Sequence, residues 1–293
     1  MKLFKFKTGA ARSHSVAPPA LGLLLLAVLV TLAFAGSALS AQAKVDLGNA
    51  ESFGALSFAA MTNAGQNTVV NGNIGSSTSI GSGVTHPGFA AYGAGSPELA
   101  NAQASLLTAY GFAEAQAPNQ PTITGANLAG RTLAPGVYNS SSDILISGPI
   151  ALTLDGGGDP NSVFIFQAAS SGNLTVDPTS TMAYTNGAQP CNVFWKVNSA
   201  FLKNTDKNFV GTILALTQIT LTEHITVDGR VLARNADVTF IHDVINKPTC
   251  SAAPGSGPPP PGATPPPPAA TKPKPRVRPP SPKPPVRSFG LTG

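Results

Sequence analysis

Few residues in this 293-residue chain have the type and spacing that chemistry requires. Its four histidines are His14, His86, His224 and His242. No two of them stand at the three- or four-residue spacing that places metal ligands on one helix face, so no metal site is expected. His242 and Asp243 are adjacent and resemble part of a proton relay, but no nucleophile elbow or phosphate-cradling loop accompanies them. They read as a surface pair. The Gly-rich acidic run Asp155-Gly-Gly-Gly-Asp-Pro-Asn161 lacks the carboxylate count of a calcium loop and reads as a tight turn. No catalytic residues and no cofactor are expected, and the chain is not read as an enzyme. The remaining reactive groups are Cys191 and Cys250. In an exported chain they form a candidate disulfide tying the last part of the fold to an earlier strand; two separate buried thiols are the alternative.

Export is expected from the first 43 residues. Lys2, Lys5, Lys7 and Arg12 precede an apolar stretch from Ala20 to Ala35, and Ala41-Gln42-Ala43 offers the small-x-small pattern of a cleaved signal peptide. At the other end, residues 254–293 are dominated by proline with interspersed cations and cannot bury enough surface to offset chain entropy. An extended, basic, disordered tail is expected there, a solvated spacer or a contact for anionic wall or membrane polymers. The two ends hold 10 of the 18 Lys and Arg, leaving 8 against 13 acidic residues, a net charge of −5, in residues 44–253. That balance argues against nucleic-acid binding by the folded part.

Residues 44–253 are long enough for one domain with a sizeable core. Ser96-Pro97-Glu98 opens a helix with a cap hydroxyl, a proline at the first helical position and an early acidic side chain; it is expected to reach about Gln116. Leu99, Ala102, Leu106, Tyr110 and Ala113 form its apolar stripe, widened by Leu107 and Ala109. The rest reads as short strands between Gly, Asn, Asp and Pro turns, among them Ile150-Ala-Leu-Thr-Leu154, Val193-Phe-Trp-Lys-Val197, Ile219-Thr-Leu-Thr222 and Val238-Thr-Phe-Ile241. Phe209-Val-Gly-Thr-Ile-Leu-Ala215 and Val227-Asp-Gly-Arg-Val-Leu-Ala233 match at an offset of 18, with Gly211 in register with Gly229. Stacked parallel coils follow from that register. Asn71-Gly72 and Asn186-Gly187 keep an antiparallel sandwich as the runner-up.

The chain resembles the ice-binding-protein-like family across Leu47 to Cys250. The resemblance rests on Leu47-Gly-Asn-Ala-Glu-Ser-Phe-Gly-Ala-Leu56, Leu133-Ala-Pro-Gly-Val-Tyr138, Leu154 to Gln167, Asn186-Gly-Ala-Gln-Pro-Cys-Asn-Val-Phe-Trp195, Gly211-Thr-Ile-Leu-Ala-Leu-Thr217 and Gly229-Arg-Val-Leu-Ala-Arg234. It implies a mainly β fold: an irregular right-handed parallel β-solenoid, a triangular β-helix, with one long α-helix alongside. It also implies secretion and the binding of ice by a flat, Thr-containing face; a cell-exterior adhesive or structural surface module is the alternative, and a monomer is expected in either case.

By strand alternation Thr220, Thr222, Thr226 and Thr239 point outward. With Asn235 from a neighbouring turn they are the candidate ice-binding residues. Glu223, His224 and Asp237 interrupt this run, and charged groups holding their own hydration shells work against an ordered water layer.

Overall fold

In this computed structural model the described residues are 42–123, 125–203 and 208–251. The expected signal peptide and proline-rich tail lie outside them, as does the charged pair Asp206 and Lys207. Every strand pairing between the named strands is parallel, in three walls that succeed one another along each coil. This excludes the sandwich. Asn71-Gly72 is a corner from one wall to the next, where a Cβ on Gly72 would lie 2.6 Å from the Gly54 nitrogen of the neighbouring coil. Asn186 and Gly187 close a tight turn with φ of 48° and 87°.

The first wall runs from Ala91–Tyr92 through Asn73–Ser76 and Phe53–Ser57, the second halves of Thr226–Ala233 and Asn208–Ala215, then Val193–Val197, Phe164–Gln167 and Gly136–Asn139. The second wall is six short strands in the order Met61–Asn63, Val238–Phe240, Ile219–Leu221, Ala200–Leu202, Leu174–Val176 and Ile144–Ile146. The third holds Val84–Thr85, Thr68–Asn71, Val244–Asn246 and the first halves of the two eight-residue strands. Met182–Thr185, Leu152–Asp155 and Thr132–Leu133 form a separate sheet following the second wall in their coils.

The two eight-residue strands turn from the third wall to the first at Gly211 and Gly229, which pair as the 18-residue offset requires. Only glycine fits this corner, because Gly211 has φ of 110° and a Cβ on Gly229 would overlap its carbonyl. The order of coils, however, departs from the order of the chain. Phe53–Ser57, near the start, pairs with Thr226–Ala233 near the end, and Met61–Asn63 likewise pairs with Val238–Phe240.

Helix α1, Pro97–Ala115, makes this order possible. Its 19 residues span about 28 Å at 1.5 Å per residue, most of the roughly 34 Å covered by seven spacings between the eight strands of the first wall. It thus carries the chain along the solenoid before the coils wind back. Ser96 accepts the Leu99 N–H at the start. Leu99, Ala102, Leu106, Ala109, Tyr110 and Ala113 bury against Leu56, Val137, Ile165, Phe194, Leu214 and Leu232. Leu107 departs from the expected stripe and is 49% exposed, on the edge away from the wall, and Ile150 likewise lies outside its strand at 69% exposure. Gly111 is tolerated because the helix continues to Ala115 under the support of the sheet: Gln167 donates to the carbonyls of Ala113 (2.7 Å) and Gln116 (2.8 Å), satisfying groups the helix end leaves free.

Inside the coils, Tyr138, Phe166 and Trp195 occupy one in-register column with ring centroids 5.3 and 4.0 Å apart. The Trp195 indole donates to the Val210 carbonyl at 2.9 Å. Below Trp195 the column continues through Ile213, Val231, Ala55 and Ile74. Cys191 and Cys250 form a disulfide across 59 residues.

Two outcomes follow for stability. Trp195→Ala, which empties the centre of the column, should lower unfolding free energy by about 3–5 kcal/mol, read from the guanidinium midpoint; a loss below about 1 kcal/mol would show that the stack is not part of the cooperative core. The double substitution Cys191→Ala with Cys250→Ala should cost about 2–4 kcal/mol by freeing the unfolded chain while leaving the far-UV circular dichroism of the native state unchanged.

Candidate functional site

The second wall is the one built by the simplest rule. Five of its six three-residue strands bury their first and third side chains, as with Ile219 and Leu221, Val238 and Phe240, or Leu174 and Val176, and turn the middle one outward; Met61–Asn63 buries only Met61 and likewise exposes its middle residue. Parallel pairing in register then stacks those middle residues into a column: Leu145, Thr175, Phe201, Thr220, Thr239, Thr62. Successive members stand about 4.8 Å apart. Thr239 and Thr62 are close enough for their hydroxyls to hydrogen-bond at 3.0 Å. The column offers methyl, hydroxyl and aromatic surface and carries no charge.

Charges are confined to its two rims, and most are engaged within the protein. On one rim Asp237 accepts the Ala60 N–H at 2.7 Å and Asp143 accepts the Asn173 N–H at 2.8 Å, so each carboxylate holds a corner of the backbone. On the other, Lys203 meets Asp177 at 2.9 Å. A hydrogen bond from Ser147 and the Lys203 ammonium hold the Asp177 carboxyl below its usual range.

Farther along this rim Glu223, His224 and His242 come together. Behind them the buried Asp243 accepts the N–H groups of Ile225 (2.9 Å) and Ile241 (2.7 Å). Burial pushes its carboxyl up to about 6, against the opposing pull of these two hydrogen bonds and of both imidazoles. His242 and Asp243 are therefore part of a corner, not an isolated surface pair.

The structure divides the sequence candidates. Thr220 and Thr239 are neighbours in the column. Thr222 follows the strand at the charged rim and its hydroxyl is enclosed without a hydrogen-bond partner among the described residues. Asn235 is exposed in the corner between Thr226–Ala233 and Val238–Phe240. Thr226 points outward, but from the third wall, where it pairs with Val244 and not with any member of the column. Alternation distinguishes inside from outside and cannot tell which wall a strand joins. Thr62, Thr175, Phe201 and Leu145 were missed, although Leu174-Thr-Val176 and Ala200-Phe-Leu202 carry the same alternation as Ile219-Thr-Leu221.

The third wall has a different surface. Asn208 and Asn246 donate to Asp228 at 3.3 and 3.0 Å, and Asn71 donates to Asn246 at 2.8 Å, a ladder of amides around a carboxylate. Asp155 accepts Gly157 N–H and Asn186 Nδ2, each at 2.9 Å, which holds its carboxyl below the usual range and closes the Gly-rich turn. The first wall is covered by α1. Among the three, only the second presents a neutral, regular column.

A family model described as ice-binding-like matches residues 55–246. An ice-binding protein of Nostoc sp. (strain HG1) is 39% identical over 74% of this chain and 79% of its own length. One from Colwellia sp. is 33% identical over 77% of this chain and 93% of its own. Among solved structures, an ice-binding protein of the Antarctic ascomycete Antarctomyces psychrotrophicus superposes with a TM-score of 0.65 at 32% identity, covering 71% of this chain and all (100%) of that one. A second, from an Antarctic biological consortium, gives a TM-score of 0.65 at 34% identity over 70% of this chain and 92% of that one. With the helix, the three parallel walls and these matches in agreement, the chain belongs to the ice-binding-like family.

Proposed function

We propose that this is an exported ice-binding protein of the antifreeze and recrystallisation-inhibiting kind, and that the second wall is the surface that meets ice. The observation that carries the site is the unbroken register of Thr220, Thr239 and Thr62 on a wall that neither α1 nor charge covers. A threonine in such a column offers one methyl and one hydroxyl at a fixed height. Repeated about every 4.8 Å on a hydrogen-bonded sheet, these groups can order a water layer that joins the crystal lattice. Because the groups are held by backbone pairing, little conformational entropy is lost on contact. The related chains named as ice-binding proteins support the activity; the choice of wall rests on the geometry of this chain.

The charges that interrupt the sequence motif weigh less against this reading once they are located. Asp237 is turned into its corner by the Ala60 N–H, and Glu223 and His224 stand at the rim beyond Leu221, outside the column of middle residues. Phe201 is the larger irregularity, since it separates Thr175 from the three contiguous threonines.

Four substitutions test the assignment. Thr220→Tyr and Thr239→Tyr should each abolish ice-crystal shaping and recrystallisation inhibition at protein concentrations where the parent is active, with unchanged circular dichroism. Thr226→Tyr, on the third wall, should retain both. Shaping that survives the first two and disappears with the third would move the site to the third wall. Phe201→Thr should raise thermal hysteresis by extending the column to five consecutive threonines; a lower value in a folded variant would mean that the aromatic ring itself takes part. Round, freely coarsening crystals from the folded parent would instead favour an adhesive or structural role outside the cell.

A further inference from the structure

Taken along the sequence, His224 and His242 are isolated. They are separated by 18 residues, the same offset that relates Gly211 to Gly229, and the solenoid converts that offset into adjacency. Counting back two positions from the pair Thr226 and Val244 brings His224 beside His242, with Asn67 next in the same file beyond Val69. The two rings stack with centroids 5.5 Å apart and planes within 10°. Glu223 reaches over both, its Oε1 lying 3.7 Å from Nδ1 of His224 and 3.7 Å from Nδ1 of His242.

We propose that Glu223, His224 and His242 form a binding site for a zinc-class divalent cation, which would clip two successive coils together at the rim of the Thr wall. Each residue presents a ligand atom within 4.8 Å of the other two. Tetrahedral coordination at zinc bond lengths sets ligand atoms about 3.3 Å apart, so the Glu–His approaches need only a few tenths of an ångström. The rings must also tilt about their Cβ–Cγ bonds, because a metal lies in the plane of an imidazole. Two imidazoles and one carboxylate suit zinc, nickel and copper and leave a position for water on the exposed side.

The site is also held ready. His224 and His242 both have left-handed backbone, φ of 55° and 58°, a conformation uncommon outside glycine that the corner repeats at successive coils. The ring of His242 lies flat on the next coil, where Gly65 leaves room that a Cβ would fill at 2.9 Å from Cε1 and Nδ1. Its Nδ1 is enclosed with no hydrogen-bond partner among the described residues. Behind both rings the buried carboxyl of Asp243 accepts the N–H groups of Ile225 and Ile241 and so fixes the corner that carries the two histidines. A cation would therefore meet a nearly formed set of donors with an unsatisfied nitrogen at its centre.

The test is titration of the untagged protein with zinc chloride by isothermal calorimetry at pH 7.5, beside His224→Asn, His242→Asn, Glu223→Gln and His86→Asn. Asparagine is chosen because it tolerates left-handed backbone and occupies the equivalent place at Asn67. One zinc per chain is expected, with affinity reduced at least tenfold by either His224→Asn or His242→Asn, reduced less by Glu223→Gln, and unchanged by His86→Asn. At a hundredfold excess over Kd the melting temperature should rise by about 5–10 °C. Absence of binding below millimolar zinc, binding that persists in both His224→Asn and His242→Asn, or binding lost in His86→Asn would each overturn the proposal.

Discussion

The constraint on which the rest depends is the docking of the first coil onto the last. Ala55 and Leu56 pair with Val231 and Leu232, Thr62 with Thr239, and Val70 with Ile245, so all three walls cross this seam in register. The buried Arg230 guanidinium secures it, contacting the Glu51 carboxylate at 2.6 Å and the Glu51 carbonyl at 3.1 Å from the other side of the seam. Such contacts join residues about 175 positions apart. Loop-closure entropy rises only with the logarithm of that length, so the docking is thermodynamically bearable, but it must wait for the coils between to form. A solenoid of sequential repeats can fold from any point and fray from its ends. Here the chain termini of the domain are inside the stack, and the structure should gain and lose its coils together.

Helix α1 is the counterpart of that seam. Without a rigid crossing the chain could not leave the first coil and re-enter at the far end, and the helix spans most of the first wall, so that its buried side chains settle over successive strands of the sheet. The junction is not wholly apolar. Lys196, buried beneath the helix, pairs with Glu114 at 2.9 Å, and Gln167 closes the helix end. Burying an amino group is costly unless it is partnered, and these two side chains fix where along the wall the helix must lie. A wall held from behind by a helix and from within by the Tyr138, Phe166 and Trp195 stack has little freedom to bend, and this rigidity passes to the neighbouring Thr wall through the same coils.

Much of the fold was legible because it is written in local rules. Ser96-Pro97 set the helix start, the alternation in Val193 to Val197 or Ile219 to Leu221 set strands, and Gly211 and Gly229 announced a repeated corner. The order of the coils was not legible: nothing in Phe53-Gly-Ala-Leu-Ser57 says that its partner is Thr226 to Ala233, because parallel pairing is carried mostly by backbone groups that all residues share. The site was half legible for a related reason. Thr220 and Thr226 show the same alternation, yet the left-handed backbone at His224 turns the chain between them and sends them to different walls. The 18-residue offset, already visible at the glycines, was also the signal that would have placed His224 beside His242.

The corners that divide these residues also set the dimensions of the two exposed walls. Three-residue strands leave room for one outward side chain, so the Thr wall is long and one residue wide. The third wall is wider: Thr226 and Asp228 both face outward, in adjacent files. Width alone would favour the third wall as a contact surface for a crystal. Its second file, however, holds a carboxylate that accepts from two amides, Asn208 and Asn246, with Asn71 donating to Asn246 in turn, and groups that bind liquid water strongly have nothing to gain from a lattice. The narrow wall is poorer in area and better in chemistry, for its hydroxyls are spaced by the sheet and its charges are turned to the rims. On the proposed assignment regularity outweighs area, and the number of coils that stay in register, more than the breadth of any one of them, sets how large an ordered surface such a wall can present.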